Sequence, residues 1–364
     1  MKKVIISVSN DLVTDQRADR LASALSAAGY NVTLIGRKRS NSILINRSYK
    51  TKRFRLIFNR GPLFYACLNC RIFFYILFNR YHILLACDLD TLPGNYWAAK
   101  LKGIKLVYDS HEYFTEVPEL IGRDGTRKIW LRIERRILPG LKYSSTVCDS
   151  IADEYYKKYG VKMVVIRNVP PLWDLPEPDE DDRNKRIIIY QGAMNLSRGI
   201  ENMIDAITYL PGYTLWLAGD GDITNDLKQR VAEKKLEKQV VFLGRVPFEK
   251  LHEYTCKASL GLSLEQNAGL NYYYSLPNKI FDYIHAGIPV LASAFPEIEK
   301  IINRYDIGLT ISRHDPEYIA ECISNMVNDT ALREKWRRNA LIARGELNWE
   351  TEKGKLLELF AGIN

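Results

Sequence analysis

Between Asn168 and Arg186 the chain carries Pro170, Pro171, Pro176 and Pro178, followed at once by Asp179-Glu180-Asp181-Asp182. Proline offers a sheet no N–H and fixes its own φ. Four adjacent carboxylates repel one another. No strand or core helix runs through such a stretch, so it predicts a linker over 169–185. The chain must then fold as two bodies, 1–168 and 186–346, with a tail at 347–364. Its 364 residues suit two domains of ordinary size. At 46% hydrophobic it can fill two cores, which excludes global disorder.

Both halves alternate short apolar runs with helical periodicity. In the first, Lys3–Ser9 reads as a strand, and Asp15–Ala28 places Ala18, Leu21, Ala22 and Leu25 on one helix face. Gly29 stops that helix, and Asn31–Gly36 is the next strand. Ile83–Cys87, a helix around Tyr96–Lys102, and Lys105–Tyr108 continue the rhythm. After the linker it restarts with the strand Arg186–Tyr190 and the helix Gly199–Leu210. Thr214–Ala218, Val240–Leu243, Ser259–Leu264 and Pro289–Ala292 follow as strands. The pattern predicts an α/β protein of two doubly wound domains, each a parallel sheet covered by helices on both faces. Ligands of such sheets bind at the carboxyl ends of the strands, so a cleft between the domains is the expected site.

Charge divides unevenly. Residues 1–168 hold 29 Lys and Arg against 14 Asp and Glu, a surplus of 15, while the remainder carries −6. A basic half points to an anionic partner: a membrane surface, nucleic acid or a phosphorylated substrate. No recognisable nucleic-acid module accompanies the charge, so nucleic acid is not expected. Within this half, Arg53–Arg80 brackets the aromatic run Pro62–Phe78 with arginines. At 17 residues, with Asn69 and Arg71 inside it, the run is too short and polar to span a bilayer. Two readings stand: a buried core helix, or an interfacial helix with aromatics in lipid and arginines at headgroups. The apolar run at the start is a strand rather than a signal peptide, so export is not expected. Cysteines 67, 70, 87, 148, 256 and 322 form no visible disulfide framework, which fits a reducing cytoplasm. Cys67 and Cys70 read as two buried thiols on one helix face.

Three constellations carry chemistry. In Tyr274–Val290, Ser275 is expected to cap a helix with Pro277 in its first turn, with Ile280, Phe281 and Ile284 inward. Lys279 and Asp282 then share the other face. The amides of this helix start, with Asn278 and Lys279, suit a diphosphate, and Asp282 suits a pair of ribose hydroxyls. In the second constellation, Gly192–Gly199, Arg198 stands at a helix entrance after a glycine turn, where its fixed cation can neutralise a departing diphosphate. In the third, Asp109-Ser110-His111-Glu112 follows a strand of the first half, where His111 can orient a sugar and Asp109 and Glu112 can meet hydroxyls. The motif Asp88-Leu89-Asp90 has a form that can hold a manganese ion under a nucleotide diphosphate. Two cations already placed for the diphosphate remove the need, and no metal or other cofactor is expected.

These residues resemble the family 4 retaining glycosyltransferases, of the kind that build bacterial surface polysaccharides. The likeness runs over nearly the whole chain. It includes Asn10–Arg17 with the following helix and Gly29-Tyr30-Asn31-Val32, Tyr108–Glu112, Gly192 with Arg198-Gly199, Leu217–Gly221 and Ser275–Val290. Trp349-Glu350 opens a last helix that, in such proteins, often crosses back to the first domain. The resemblance implies the GT-B fold, two Rossmann-like domains facing a central cleft. It also implies sugar transfer from a nucleotide diphosphate sugar with retention. Arg198 and Lys279 would clamp the leaving diphosphate, near Gly192 and Gly219, and Asp282 would anchor the ribose. His111 would touch the donor sugar, and Asn10, Asp15, Arg17, Asp109 and Glu112 would lie on the acceptor side.

The chain departs from the family at several positions. Of the two glutamates that relatives place with seven residues between them, the second corresponds to Asp282 and the first to Tyr274. Glu265, with the backbone around Gly269, is the expected substitute for holding sugar hydroxyls. Ala193 stands where an arginine is common, and Ser9-Asn10-Asp11 lacks a glycine pair. The expected acceptor is a saccharide, lipid-linked, at the cytoplasmic face of an anionic membrane. A nucleotide-sugar epimerase of the same fold and a non-catalytic member of a membrane assembly are the alternatives.

Overall fold

The computed structural model describes residues 1–13, 15–40, 42–174 and 186–363. The acidic part of the expected linker, with Pro176 and Pro178, lies outside the described residues. The chain divides into two units. One comprises Met1–Asn168 with Glu352–Asn364, and the other Val169–Thr351.

Unit 1 is a seven-stranded sheet of β1 (Lys3–Ser7), β2 (Asn31–Lys38), β3 (Lys50–Arg55), β4 (Ile83–Cys87), β5 (Lys105–Ser110), β6 (Tyr143–Thr146) and β7 (Val164–Val165). Its order is β3-β2-β1-β4-β5-β6-β7, and every pair is parallel. Unit 2 holds β8 (Ile187–Gln191), β9 (Thr214–Ala218), β10 (Val240–Gly244), β11 (Leu260–Ser263), β12 (Val290–Ser293) and β13 (Gly308–Ile311). Its order is β10-β9-β8-β11-β12-β13, again all parallel. Helices on both faces explain why β4 and β8 are buried at every position, apolar throughout except for Gln191 at the end of β8. In each sheet the order reverses beside the first strand. Neighbouring loops there leave in opposite directions, and a crevice opens between β1 and β4 and between β8 and β11.

The basic aromatic segment splits in two. Arg53–Arg55 end the edge strand β3, in which only Phe54 is buried. Its lysines and arginines mark an edge and hide the strand from pattern reading. The helix Gly61–Leu77 follows and buries Phe64, Leu68, Ile72 and Ile76, one stripe at i, i+4 spacing, against Ile5, Ile35 and Leu84 of the sheet. Its other face exposes Leu63, Phe74 and Phe78. Cys67 and Cys70 are not two buried thiols. Cys67 is half-buried beside the stripe, and Cys70, two positions from both Leu68 and Ile72, faces away from it and is exposed.

The final helix, Trp349–Ala361, starts in unit 2, and its residues from Glu352 onward belong to unit 1. There the Phe360 ring meets Tyr30 edge-on at 5.8 Å, Glu352 accepts from the Arg167 amide at 2.9 Å, and Lys2 reaches the Ile363 carbonyl at 2.9 Å.

Two glycines test this geometry with opposite signs. Gly354 lies inside the final helix with open space where a Cβ would stand, so Gly354→Ala is expected to stabilise by about 0.5–1 kcal/mol. Gly219 has φ +144°, and a Cβ there would collide with the Gly192 carbonyl oxygen. Gly219→Ala is expected to cost about 2 kcal/mol or more. Thermal and denaturant unfolding of both variants provides the check.

Candidate functional site

The crevice of the second sheet is built from the loops after β8 and β11. Gly192 (φ +137°) turns the chain out of β8, and Gly199 (φ +70°) turns it into the helix Ile200–Ile207. A side chain on Gly199 would strike the Leu264 carbonyl, so glycine lets the two loops touch. The Gln266 amide donates to the Ser197 carbonyl at 2.9 Å and fixes that approach. The result sets Arg198, from the first loop, beside Glu265, from the second.

Lys279 reaches the same point from the helix Asn278–Ala286, with its stem running past the bare Cα of Gly192. Its Nζ lies 2.6 Å from Glu265 Oε1, and Arg198 NH1 lies 3.8 Å from the same oxygen. Ser263 Oγ donates to the other carboxylate oxygen at 2.8 Å. Glu265 is completely buried. Burial pushes its pKa up, but Lys279 and then Arg198 outweigh that and hold it below the usual carboxylate range. Aromatic faces seat both cations: Lys279 Nζ is 4.2 Å from the Tyr190 ring centre, and the Arg198 guanidinium 4.8 Å from that of Tyr272. Arg198 Nε is buried with no hydrogen-bond partner.

Other expected donor contacts differ in detail. Ser275 does not cap the helix. Pro277 (φ −64°, ψ 136°) is extended and precedes the helix start, so Ser275 lies too far upstream. Its hydroxyl instead donates to the Tyr272 carbonyl at 2.8 Å and closes the preceding short turn. The amides opening at Asn278 therefore have no side-chain cap. Asp282 accepts from Gln191 at 2.7 Å, and Gln191 in turn takes the Thr255 hydroxyl at 2.8 Å. The Gly269 amide donates to Asn267 at 3.2 Å.

In unit 1 the strand ends gather around His111. Its Nδ1 is 3.2 Å from Asp88 and its Nε2 2.9 Å from Asp109. The second contact is off the line of the N–H, so Nε2 makes an ion pair but no hydrogen bond. Asp88 has φ +61°, and its carboxylate also takes the His111 amide at 2.7 Å. Burial opposes a charge on His111, but Asp88 and then Asp109 hold it protonated well above its ordinary 6.5. Asp109 and Arg17, 1% and 4% exposed, form a two-point pair at 2.7 and 2.9 Å. Ser145 donates to Asp109 at 2.7 Å, and Arg17 also reaches the Ile166 carbonyl at 2.8 Å. Both side chains are thus committed inside the unit. Asp15 caps the first helix by accepting from the Ala18 amide at 2.9 Å, and it takes Asn10 Nδ2 at 2.8 Å. Burial, and next the Asp88 charge, pushes Asp90 up to about 7 and Glu112 to about 8.

Among the described residues, Cys87, Asp109 and His111 bring ligand atoms within 4.8 Å of one another. A metal fits this group poorly. Arg17 already holds Asp109, and burial pushes the Cys87 thiol up to about 12.

The family model for glycosyl transferases group 1 matches residues 173–342, and that for glycosyltransferase family 4 matches residues 15–171. Together they take in nearly all of the chain. The chain belongs to the family 4 type of GT-B glycosyltransferases. A curated relative, the lipopolysaccharide core biosynthesis glycosyltransferase LpsE of Rhizobium meliloti, is 25% identical over 151 residues. That stretch is 41% of this chain and 42% of the relative, so the chain covers less than half of that protein's length. Among solved structures, sucrose-phosphate synthase of Thermosynechococcus elongatus superposes with a TM-score of 0.83 at 20% identity, covering 100% of this chain and 99% of that one. HepE of Anabaena in complex with UDP-glucose gives 0.76 at 16%, covering both chains in full. WaaG, a glycosyltransferase involved in lipopolysaccharide biosynthesis, gives 0.74 at 15%, over 99% and 100%. At these identities the structures attest the two-domain fold.

The glycosyltransferase thus brings Arg198, Glu265 and Lys279 together, and separately His111, Asp88, Asp109 and Arg17. Sequence reading missed Tyr190 and Tyr272 as seats for the cations and Gln191 as the partner of Asp282. No local pattern marks these. Asp88 was visible just past a strand but was weighed only as part of a metal motif.

The His111 network makes the stability of the glycosyltransferase pH-dependent. The folded-state pKa lies above the ordinary 6.5, so this contribution is complete below pH 6.5 and is lost as pH rises through the folded value. The stability gap between wild type and His111→Gln is expected to be widest below pH 6.5 and to close with rising pH. Imidazole NMR titration checks the cause; a midpoint at or below 6.5 would reject it.

Proposed function

We propose that this glycosyltransferase takes its sugar from a nucleotide diphosphate sugar held in unit 2. It passes the sugar, with retention of anomeric configuration, to a lipid-linked saccharide acceptor during assembly of a cell-surface polysaccharide. The observation that carries the reading is the meeting of Arg198 and Lys279 on Glu265 at the crevice between β8 and β11. Two cations share one carboxylate and leave one positive charge in excess. Arg198 is the less committed of the two, at 3.8 Å, and keeps an unused buried N–H. HepE was solved with UDP-glucose, which supports a nucleotide sugar as donor. The names of LpsE and WaaG support lipopolysaccharide or a related polymer as the destination.

As the bond from the anomeric carbon to the diphosphate breaks, negative charge grows on the departing oxygen. Arg198, Lys279 and the uncapped amides at Asn278 stabilise it, and their positions are fixed before the reaction begins. Glu265 holds both cations in place, and Asp282 meets the ribose. His111, kept as an imidazolium between Asp88 and Asp109, lies against the donor sugar as a fixed positive charge rather than removing a proton. Arg17 and Asp109 hold His111 instead of touching the acceptor, while Asn10 and Asp15 fix the first loop. No group is assigned as a covalent nucleophile. Neither metal nor cofactor enters the reading.

Arg198→Ala is expected to lower turnover by about 10²–10³-fold, the usual effect of losing one such donor. Lys279→Ala alone would leave the buried Glu265 with only the more distant Arg198, at a cost of up to about 3–5 kcal/mol, so it is made together with Glu265→Gln. Thermal-shift screening of nucleotide sugars finds the donor, and calorimetry measures its affinity. Acceptor-dependent release of the nucleotide diphosphate then measures turnover. Unchanged affinity and turnover in both variants would sink the clamp. Conversion of the sugar nucleotide without acceptor would identify an epimerase.

The exposed face of the helix Gly61–Leu77, with Leu63, Phe74 and Phe78 beside Arg60, Arg71 and Arg80, is proposed to rest on the cytoplasmic face of an anionic membrane. No described helix is long and apolar enough to cross a membrane. Co-sedimentation with phosphatidylglycerol vesicles at low salt, weakened by high salt and by Phe74→Ser with Phe78→Ser, is the expected result. Absence of binding at low salt would refute it.

A further inference from the structure

Past the carboxyl ends of β2 and β3 lies a cavity of about 750 Å³, within the usual range of small-ligand sites. Arg37, Lys38, Arg39, Arg55 and Arg60 line it, together with Asn59. The register of the strands assembles the group, since Lys38 pairs with Arg55 at the last rung of the two strands. Among the described residues none of these five cations has a carboxylate partner. The nearby carboxylate of Asp11 is already taken by Arg53 at 3.1 Å and by the Ser42 hydroxyl.

Arg37 is the most confined of the five. Its Nε is buried without a hydrogen-bond partner. One terminal nitrogen reaches only the Asn59 carbonyl at 3.3 Å, and its guanidinium lies 4.7 Å from the centre of the Phe64 ring. Burial, and next the charge of Arg39, draws its pKa below the usual arginine range. Asn59 and Arg60 are also the residues immediately before the helix Gly61–Leu77. That helix starts with no side-chain cap and no acid in its first turn, so its amides add to the same positive field.

Like charges gathered without counter-ions oppose folding, and a cavity walled by one sign focuses its field on an anion. Arginine forks match phosphate oxygens two at a time. The Arg37 amide donates to the Asn10 carbonyl at 3.0 Å, which ties the cavity to the loop after β1. We propose that this cavity binds a phosphate or diphosphate group carried by the acceptor. The inference rests on reading the protein as a transferase with an acceptor in unit 1, and it names the chemistry by which that acceptor is held.

The test uses inorganic pyrophosphate in calorimetric titrations of the full chain. Pyrophosphate also suits the donor clamp, so the titrations are made in a chain carrying Arg198→Ala, Glu265→Gln and Lys279→Gln. There one site is expected to persist. Adding Arg39→Gln, Arg55→Gln and Arg60→Gln, all at exposed positions, is expected to weaken it at least tenfold. Arg132→Gln, Arg135→Gln and Arg136→Gln, with the same change in charge at exposed positions of the helix Asp124–Ile137, should leave it unchanged. No site in the clamp-free chain, or equal loss in the two arginine triples, overturns the proposal. Titration with glucose 1-phosphate, and sedimentation with phosphatidylcholine vesicles with and without phosphatidylglycerol, then identify the source. Loss confined to the soluble phosphate assigns a phosphorylated acceptor, and parallel loss of vesicle binding assigns a lipid headgroup. If Arg198→Ala leaves donor affinity and turnover intact while the cavity still binds pyrophosphate, the donor assignment falls and the cavity stands.

Discussion

Every strand in both units pairs in parallel, and most of what is distinctive here follows from that. A parallel pair needs a crossover, the crossover helices cover both faces, and the central strands between them become largely apolar. Most polar side chains are left to the strand ends and the loops that leave them. Where the strand order reverses, two such loops part and a crevice opens. Gly199 lets the loops of the second sheet approach closely enough for Arg198 and Glu265 to meet. The same constraint brings Asp88, just after β4, and His111, just after β5, together with Asp109 near the end of β5.

The two crevices hold opposite charge arrangements. In unit 1 a cation, His111, sits between two carboxylates, and a further arginine compensates one of them. In unit 2 a buried carboxylate, Glu265, sits between two cations. Each central group is held in its charged form against the cost of burial. An imidazolium fixed in this way is a standing positive charge and a poor base. A pair of cations fixed in this way needs no reorganisation when charge develops nearby. The basic cavity beyond β2 and β3 differs from both, because among the described residues none of its five cations is ion-paired with a carboxylate.

The alternation of strands and helices was legible because long apolar periods survive in single sequences. Strands such as Ile83–Cys87 and Thr214–Ala218 fall where the pattern puts them. The edge strand Lys50–Arg55 did not show, since an edge strand buries one side chain and fills the rest with charge. Lys279 and Arg198 were legible as cations at loop–helix junctions. That both converge on Glu265 was not, because the contact joins residues 67 and 14 positions apart through the tertiary fold. Ser275 misled because a serine shortly before a helix resembles a cap, whereas the extended Leu276-Pro277 step moves the helix start beyond its reach. Cys67 and Cys70 misled because their spacing suggested one buried face, whereas the buried stripe runs one position from Cys67 and two from Cys70.

The last helix bears on the order in which the chain acquires its structure. Phe360 and Ile363 are buried in unit 1, and Glu352 closes on Arg167 there. A ribosome makes these residues only after the whole of unit 2. The first body to emerge therefore waits, with the places of Phe360 and Ile363 unfilled, while the second is synthesised. During translation unit 2 has every part of its core before unit 1 does, and unit 1 is the body whose apolar surface a chaperone would meet for longest.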